Sequence, residues 1–211
     1  MSAHQPSKSE TTPPAGPTSA DRIIELGPGV GRTAEILLAA RPASYKGVDP
    51  NPEGREQVAG ILAAHSRQTD AEYIVADAAH TGLPDGSADL VVGEAMLTIQ
   101  SDDHKREIIA EVARLLAPGG RYAIHELALR ADRSPEELEK IRRSISRTIK
   151  VGARPLTAPA WKELLREAGL EVTWTGTASM SLLEPSRIVE DEGVLGALRF
   201  WRNMRRTSGA R

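Results

Sequence analysis

Ile23-Ile24-Glu25-Leu26-Gly27-Pro28-Gly29-Val30-Gly31, followed by a second short apolar run that closes on Val48-Asp49, decides how this chain folds. An apolar run of strand length, three glycines at alternate positions and a helical pattern behind them read as strand, tight turn and helix. A chain that turns sharply from strand into helix needs positive φ values, and a residue without Cβ lets backbone approach a ligand closely. Asp49 ends the next strand, where a carboxylate accepts hydrogen bonds from both hydroxyls of a ribose, so the unit has the form in which an α/β domain holds a nucleoside. Which nucleoside turns on residue 32. A dinucleotide fingerprint needs a small residue there to seat a pyrophosphate on the helix N-terminus, and this chain has Arg32.

Glu25, two residues ahead of Gly27, and the spacing Gly27-x-Gly29-x-Gly31 resemble motif I of the class I S-adenosylmethionine-dependent methyltransferases. Val75-Ala76-Asp77-Ala78 is similar to the third strand of that family and its adenine-contacting acid, and Leu83-Pro84-Asp85-Gly86-Ser87-Ala88-Asp89-Leu90-Val91-Val92 to the approach and fourth strand. Leu115-Leu116-Ala117-Pro118-Gly119-Gly120-Arg121-Tyr122 looks like the turn before the fifth strand, and Thr157-Ala158-Pro159-Ala160-Trp161 through Ala168-Gly169-Leu170 like the late helix and sixth strand. The series covers residues 22–176 and resembles the small-molecule enzymes of the ubiquinone and menaquinone methyltransferase type. The resemblance implies a doubly wound, mostly parallel, seven-stranded Rossmann-like sheet with helices on both faces. It also implies S-adenosyl-L-methionine as cofactor, S-adenosyl-L-homocysteine as product and a small-molecule methyl acceptor. Cofactor contacts are then expected at Glu25, Gly27, Pro28, Gly29, Gly31, Asp49, Pro50, Asn51, Asp77, Ala78, Glu94 and Ala95.

At 211 residues the chain is long enough for one core. No run approaches the roughly 18 apolar residues of a membrane span, and the N-terminus lacks the apolar region of a signal peptide, so a cytoplasmic location with no membrane partner is expected. The absence of cysteine excludes disulfides, thiolate metal sites and cysteine nucleophiles. A formal charge of −2 supplies no global basic field for nucleic acid.

Residues 1–20, rich in Ser, Thr and Pro, read as a disordered tail ahead of a methyltransferase domain at 21–183. Relatives of this kind carry one or two helices before the first strand, and this chain has no apolar period there. Alternating units argue for a parallel sheet with helices on both faces. Strands are expected at 22–26, 45–49, 72–76, 90–94, 121–127 and 171–175, with a short seventh at Ser179-Met180-Ser181-Leu182-Leu183. Helices are expected at 33–40, 53–67 and 102–116, the last with Ile108, Ile109, Val112, Leu115 and Leu116 on one stripe. Another begins at Ser134-Pro135-Glu136-Glu137 with a capping box and runs to Lys150. Its Lys140, Arg142, Arg143, Arg147 and Lys150 read as a solvated basic face. By the resemblance, this segment, about 134–154, roofs the substrate pocket. Ile188, Val189, Val194, Leu195, Leu198, Phe200, Trp201 and Met204 make residues 184–211 a helical extension that packs on the domain or on another subunit, which would make a homodimer.

A sulfonium is already an activated methyl donor, so orientation and desolvation supply much of the rate of an in-line displacement. What remains is to hold the nucleophile and to remove its proton. Candidates lie at the carboxyl ends of strands, where open α/β sheets bind ligands. Glu94-Ala95-Met96 follows the fourth strand, with Gln100 and His104 after it, and His125-Glu126 ends the fifth. Strand alternation points His125 and Glu126 to opposite faces, so one of them at most faces the pocket unless the strand has already ended. His125 has the better intrinsic pKa for a base near neutrality, and Glu126 aligns with acidic positions in relatives. Glu94, His125 and Glu126 are therefore the catalytic candidates. Asp102-Asp103 are explained by capping and the helix dipole, and no metal is assigned. A nicotinamide-dependent oxidoreductase and a non-catalytic binding protein with this fold remain as alternatives.

Overall fold

The computed structural model describes residues 16–178. The chain divides into two units, Met1–Trp174 and Thr175–Arg211; of the second, residues 175–178 are described and form neither helix nor strand. In the first unit five strands, β1 (Arg22–Leu26), β2 (Ser44–Asp49), β3 (Asp70–Val75), β4 (Ala88–Glu94) and β5 (Leu116–His125), form one parallel sheet in the order β3-β2-β1-β4-β5. β1 is central, and the chain winds outward from it to β2 and β3 on one side and to β4 and β5 on the other. That reversal leaves a crevice at the carboxyl ends of β1 and β4, the position at which open α/β sheets take ligands.

β1 faces both layers, which is why it reads as nearly unbroken apolar sequence. Ile24 and Leu26 join Val48, Val91 and the apolar stripe of α3 (Asp102–Leu115) in one core, to which α5 (Ala158–Glu167) adds Trp161 and Leu164. Ile23 joins Tyr45, Leu90 and Ala34, Leu37 and Leu38 of α1 (Arg32–Ala39) on the other face, with Ile61 and Leu62 of α2 (Gly54–His65) against them. Ile108, Ile109, Val112 and Leu115 of α3 are fully buried, and each such side chain contributes about 1.5–3 kcal/mol. Lys105, on the same helix, is also fully buried, where a lysine must be paired. Its Nζ donates to Asp102 Oδ1 (2.7 Å) and to the Arg154 carbonyl (2.8 Å), and it lies 5.7 Å from the Trp161 ring centroid.

The main sheet has five strands among the described residues, not seven. Residues 171–175 alternate apolar and polar, yet they pair with no strand edge, and Trp174 stays 41% exposed. Alternation marks a strand only where a neighbour supplies a ladder. The expected seventh strand and the helical extension at 184–211 lie outside the described residues. β5 starts earlier than the sequence pattern suggests: Leu116 already pairs with Ala88, and the register resumes at Arg121 opposite Leu90. The Pro118-Gly119 excursion between them is possible because Gly119 takes φ +79° and a Cβ on Gly120 would sit 2.9 Å from the Ala117 carbonyl.

Two short strands escaped the sequence reading. β6 (Ala128–Leu129) pairs in parallel with β7 (Leu156–Thr157) and closes the base of an insertion carrying α4 (Pro135–Ile149). Ser134 and Glu137 form the expected capping box: Ser134 Oγ accepts from the Glu137 amide and Glu137 Oε2 from the Ser134 amide. No helix among the described residues is long and apolar enough to cross a membrane.

Candidate active site

The glycine turn stands at the crevice. Gly27, Gly29 and Gly31 all take positive φ (+70°, +52° and +84°), and the Gly27 amide donates to the Val48 carbonyl at 2.8 Å, tying the turn to the end of β2. The three glycines do different work. A Cβ on Gly31 would meet Ile61 Cδ1 at 2.5 Å, so that residue lets α1 and α2 approach. A Cβ on Gly27 would lie 3.4 Å from Met96 Cβ, so its bare face admits the loop after β4. Gly29 meets only open space and the Gly27 carbonyl at 4.0 Å, so its requirement is the positive φ. Pro28 is buried against Gly47, whose own missing Cβ would be 3.2 Å from Pro28 Cγ.

Beneath the turn Glu25 is 2% exposed, and it accepts a hydrogen bond from the Tyr45 phenol at 2.6 Å. Burial pushes its carboxyl up to about 7; the Tyr45 bond opposes that shift and the charge of Glu94 adds to it. Burial likewise pushes the Tyr45 phenol upward, with Glu25 reinforcing it. Tyr45 is a hydrogen-bond partner of Glu25 that sequence reasoning missed. Its place opposite Ile23 gives it the Glu25 face of the sheet, which only the register reveals.

Asp49 ends β2 and accepts from the Asn51 amide at 2.8 Å, while Asn51 Oδ1 accepts from the Glu53 amide at 3.0 Å. These two turns fix Pro50 and Asn51 as the entry to α2, and the Tyr73 hydroxyl donating to the Asn51 carbonyl (2.6 Å) holds them from below. After β3, Asp77 accepts from the Ala79 amide at 2.8 Å and lies 3.4 Å from His104 Nε2; Ala78 is buried beside it. The acid at 77 thus meets a histidine of α3 across the mouth of the crevice.

At the end of β4, Glu94 receives a hydrogen bond from the Thr33 hydroxyl at the start of α1 and stands 3.4 Å from His125 Nδ1. The Thr33 bond holds its carboxyl below the ordinary value, with His125 adding to the effect. Ala95 takes φ +54° and its amide donates to the His125 carbonyl at 2.8 Å, which turns the chain back over the sheet. His125 is 81% exposed at the side chain. β5 ends at His125, not at residue 127 as the sequence pattern suggests, so Glu126 lies just outside the ladder. It accepts from the Leu97 amide (2.7 Å), the Thr98 amide (3.0 Å) and the Thr98 hydroxyl (2.6 Å). Its carboxylate therefore holds the loop between β4 and α3, and Glu94 and His125 form a pair that Glu126 does not join. Val30, Val75 and Ile99, each more than 40% exposed, add apolar surface to the turns after β1, β3 and β4.

Residues 24–124 match the methyltransferase domain family model. The chain is 30% identical to an uncharacterised protein of Haemophilus influenzae over 182 residues, 86% of this chain and 71% of that one. The chain belongs to the class I S-adenosylmethionine-dependent methyltransferase family. A probable tocopherol O-methyltransferase of Oryza sativa subsp. japonica is 26% identical, with 75% of this chain matched to 50% of that protein. Among solved structures, the methyltransferase fold recurs in the Burkholderia thailandensis 1,6-didemethyltoxoflavin N1-methyltransferase, which has S-adenosylhomocysteine bound. Its TM-score is 0.56 at 18% identity, over 72% of this chain and 61% of that one. This methyltransferase domain thus spans about half the length of the rice relative.

Proposed function

We propose that this chain binds S-adenosyl-L-methionine in the crevice between β1 and β4 and moves its methyl group to an O, N or S nucleophile of a small molecule. The observation that carries the reading is the convergence at one sheet edge of a buried carboxyl, a glycine turn with three positive φ values and acids ending β2 and β4. That donor set fits the cofactor. Glu25 is a buried acid whose pKa burial has raised, the environment in which an ammonium partner is favourable. Asp49 would accept from the ribose diol, Gly27, Pro28, Gly29 and Gly31 would leave room for the cofactor, and Pro50 and Asn51 would wall the ribose. Asp77 and Ala78 would hold the adenine, and Glu94 and Ala95 the methionine end. When bound, the cofactor supplies an activated methyl group on sulfur.

The protein's share of the chemistry is orientation and a proton. Glu94, kept ionised by Thr33, orients the His125 ring through Nδ1, and His125 Nε2 is left to take the acceptor's proton. Glu126 acts as a positioning residue by holding the β4–α3 loop. Calorimetric titration with S-adenosylmethionine, S-adenosylhomocysteine and NAD, on the wild type and on Asp49→Ala, tests the reading. Micromolar binding of the two adenosyl ligands, weakened by the substitution, is expected. Binding of NAD alone, or of none of the three, overturns it.

A further inference from the structure

Residues 76–87, between β3 and β4, include Asp77 and have no helix of their own. α3 holds them at three points. Glu111 Oε1 accepts from the Thr81 amide (3.0 Å) and the Thr81 hydroxyl (2.6 Å), and Arg114 pairs with Asp85. The third point is His104, whose Nε2 stands 3.4 Å from Asp77 Oδ1. His104, Glu111 and Arg114 fall within about 80° of the helix circumference, so one face of α3 serves all three. The helix is a rigid mount, because Ile108, Ile109, Val112 and Leu115 are fully buried against the sheet.

The contact divides the two oxygens of Asp77. Oδ1 accepts from the Ala79 amide at 2.8 Å and faces His104, whereas Oδ2 meets no hydrogen-bond donor among the described residues and half of the side chain is exposed. On the premise of the S-adenosyl cofactor proposed above, we infer that His104 is a positioning residue for the cofactor's base: it pins Asp77 by Oδ1 and leaves Oδ2 to accept from the 6-amino group of adenine. His104 is placed for that role and not for proton transfer. Its Nδ1 lies 2.9 Å from Glu107 Oε2, so both ring nitrogens face carboxylates, which accept and do not donate, and neither is left for a methyl acceptor's proton. Glu107, one turn further along α3, in turn fixes the ring. A carboxylate oxygen held in one place accepts from an amino group and repels a carbonyl oxygen, so the pair reads adenine against a 6-oxo purine.

Calorimetric titration of the full chain with S-adenosylhomocysteine and with S-inosylhomocysteine, which carries a carbonyl oxygen in place of the 6-amino group, reads the ratio of the two affinities. The wild type should favour the adenosyl ligand by about tenfold or more, as a hydrogen bond to a charged acceptor implies. His104→Asn sets an amide nitrogen near the place of Nδ1, so it keeps the Glu107 contact and drops the Asp77 one, and the ratio should fall several-fold. His104→Gln sets its nitrogen near the place of Nε2 and should keep most of the ratio. In an Asp77→Asn background His104→Asn should change the ratio no further, because the two residues act as a unit. A ratio unchanged in His104→Asn, whether or not both affinities drop together, makes the histidine a support for the fold alone and overturns the assignment while the cofactor reading stands. So does a His104→Gln that loses the ratio as fully as His104→Asn, or a wild type that binds both ligands equally. A wild type that binds neither overturns the cofactor reading and this role with it.

Discussion

Glu25→Gln should stabilise the cofactor-free protein above neutrality while weakening its hold on the cofactor. The carboxyl lies on the central strand, 2% exposed, with the Tyr45 phenol as its hydrogen-bond partner, and its pKa is raised from 4.5 to about 7. A group whose folded pKa lies above its unfolded one contributes stability in full below the unfolded value, and that contribution is lost as pH rises through the folded value. The window is therefore pH 4.5 to 7. A difference of about 2.5 units at about 1.4 kcal/mol each amounts to about 3–4 kcal/mol. Asp89 and Glu111, both lowered to about 2, act with the opposite sign and at lower pH, so they leave this window clear. Urea unfolding of the wild type and Glu25→Gln at pH 5 and pH 8 checks the reasoning. The variant should match the wild type at pH 5 and exceed it by about 2–3 kcal/mol at pH 8, because the amide still accepts the Tyr45 bond and carries no charge to desolvate. S-adenosylhomocysteine, which carries an ammonium, should bind the variant more weakly at both pH values. Parallel stability curves for the two proteins would show that Glu25 is not held protonated by burial and would refute the account.

Gly31→Ala should cost about 2–4 kcal/mol, from a positive φ and a Cβ placed 2.5 Å from Ile61 Cδ1. Adding Ile61→Ala should return the steric part in thermal melts, with a coupling of about 1 kcal/mol or more. Glu126→Gln should lower stability by about 1–3 kcal/mol, since an amide nitrogen cannot accept the Leu97 or Thr98 N–H, and it should leave the pH dependence of kcat in place. Loss of the acidic limb of that profile would instead make Glu126 the base. Lys105→Met should cost about 1–3 kcal/mol by leaving the Arg154 carbonyl without its donor, and an unchanged Tm would refute that role.

Local pattern was enough for much of this fold. β1, α1 and α3 could be read to within a residue or two because an apolar run, a glycine turn and a helical stripe are each recorded in consecutive residues. The capping box of α4 is local in the same sense, and its four residues specify it completely. The acids at 49, 77 and 94 could be found because each closes or follows a strand, and Glu25 because it stands two residues ahead of the glycine turn; parallel strands deliver their ends to one edge.

Contacts across the sheet were not legible. Tyr45 beneath Glu25, Thr33 on Glu94, His104 beside Asp77 and Lys105 under the Arg154 carbonyl each join residues far apart in the chain, so no short window contains both partners. The same holds for strand number. Residues 171–175 carry the alternation of a strand, and only the presence or absence of a neighbouring edge decides whether that alternation becomes a ladder. Glu126 shows the limit most directly. The sequence by itself determined that an acid directly follows His125 where the fifth strand ends. That it spends its carboxylate on the Leu97 and Thr98 amides was decided by the tertiary structure alone, because burial gives those amides a partner only where the loop after β4 folds back onto β5.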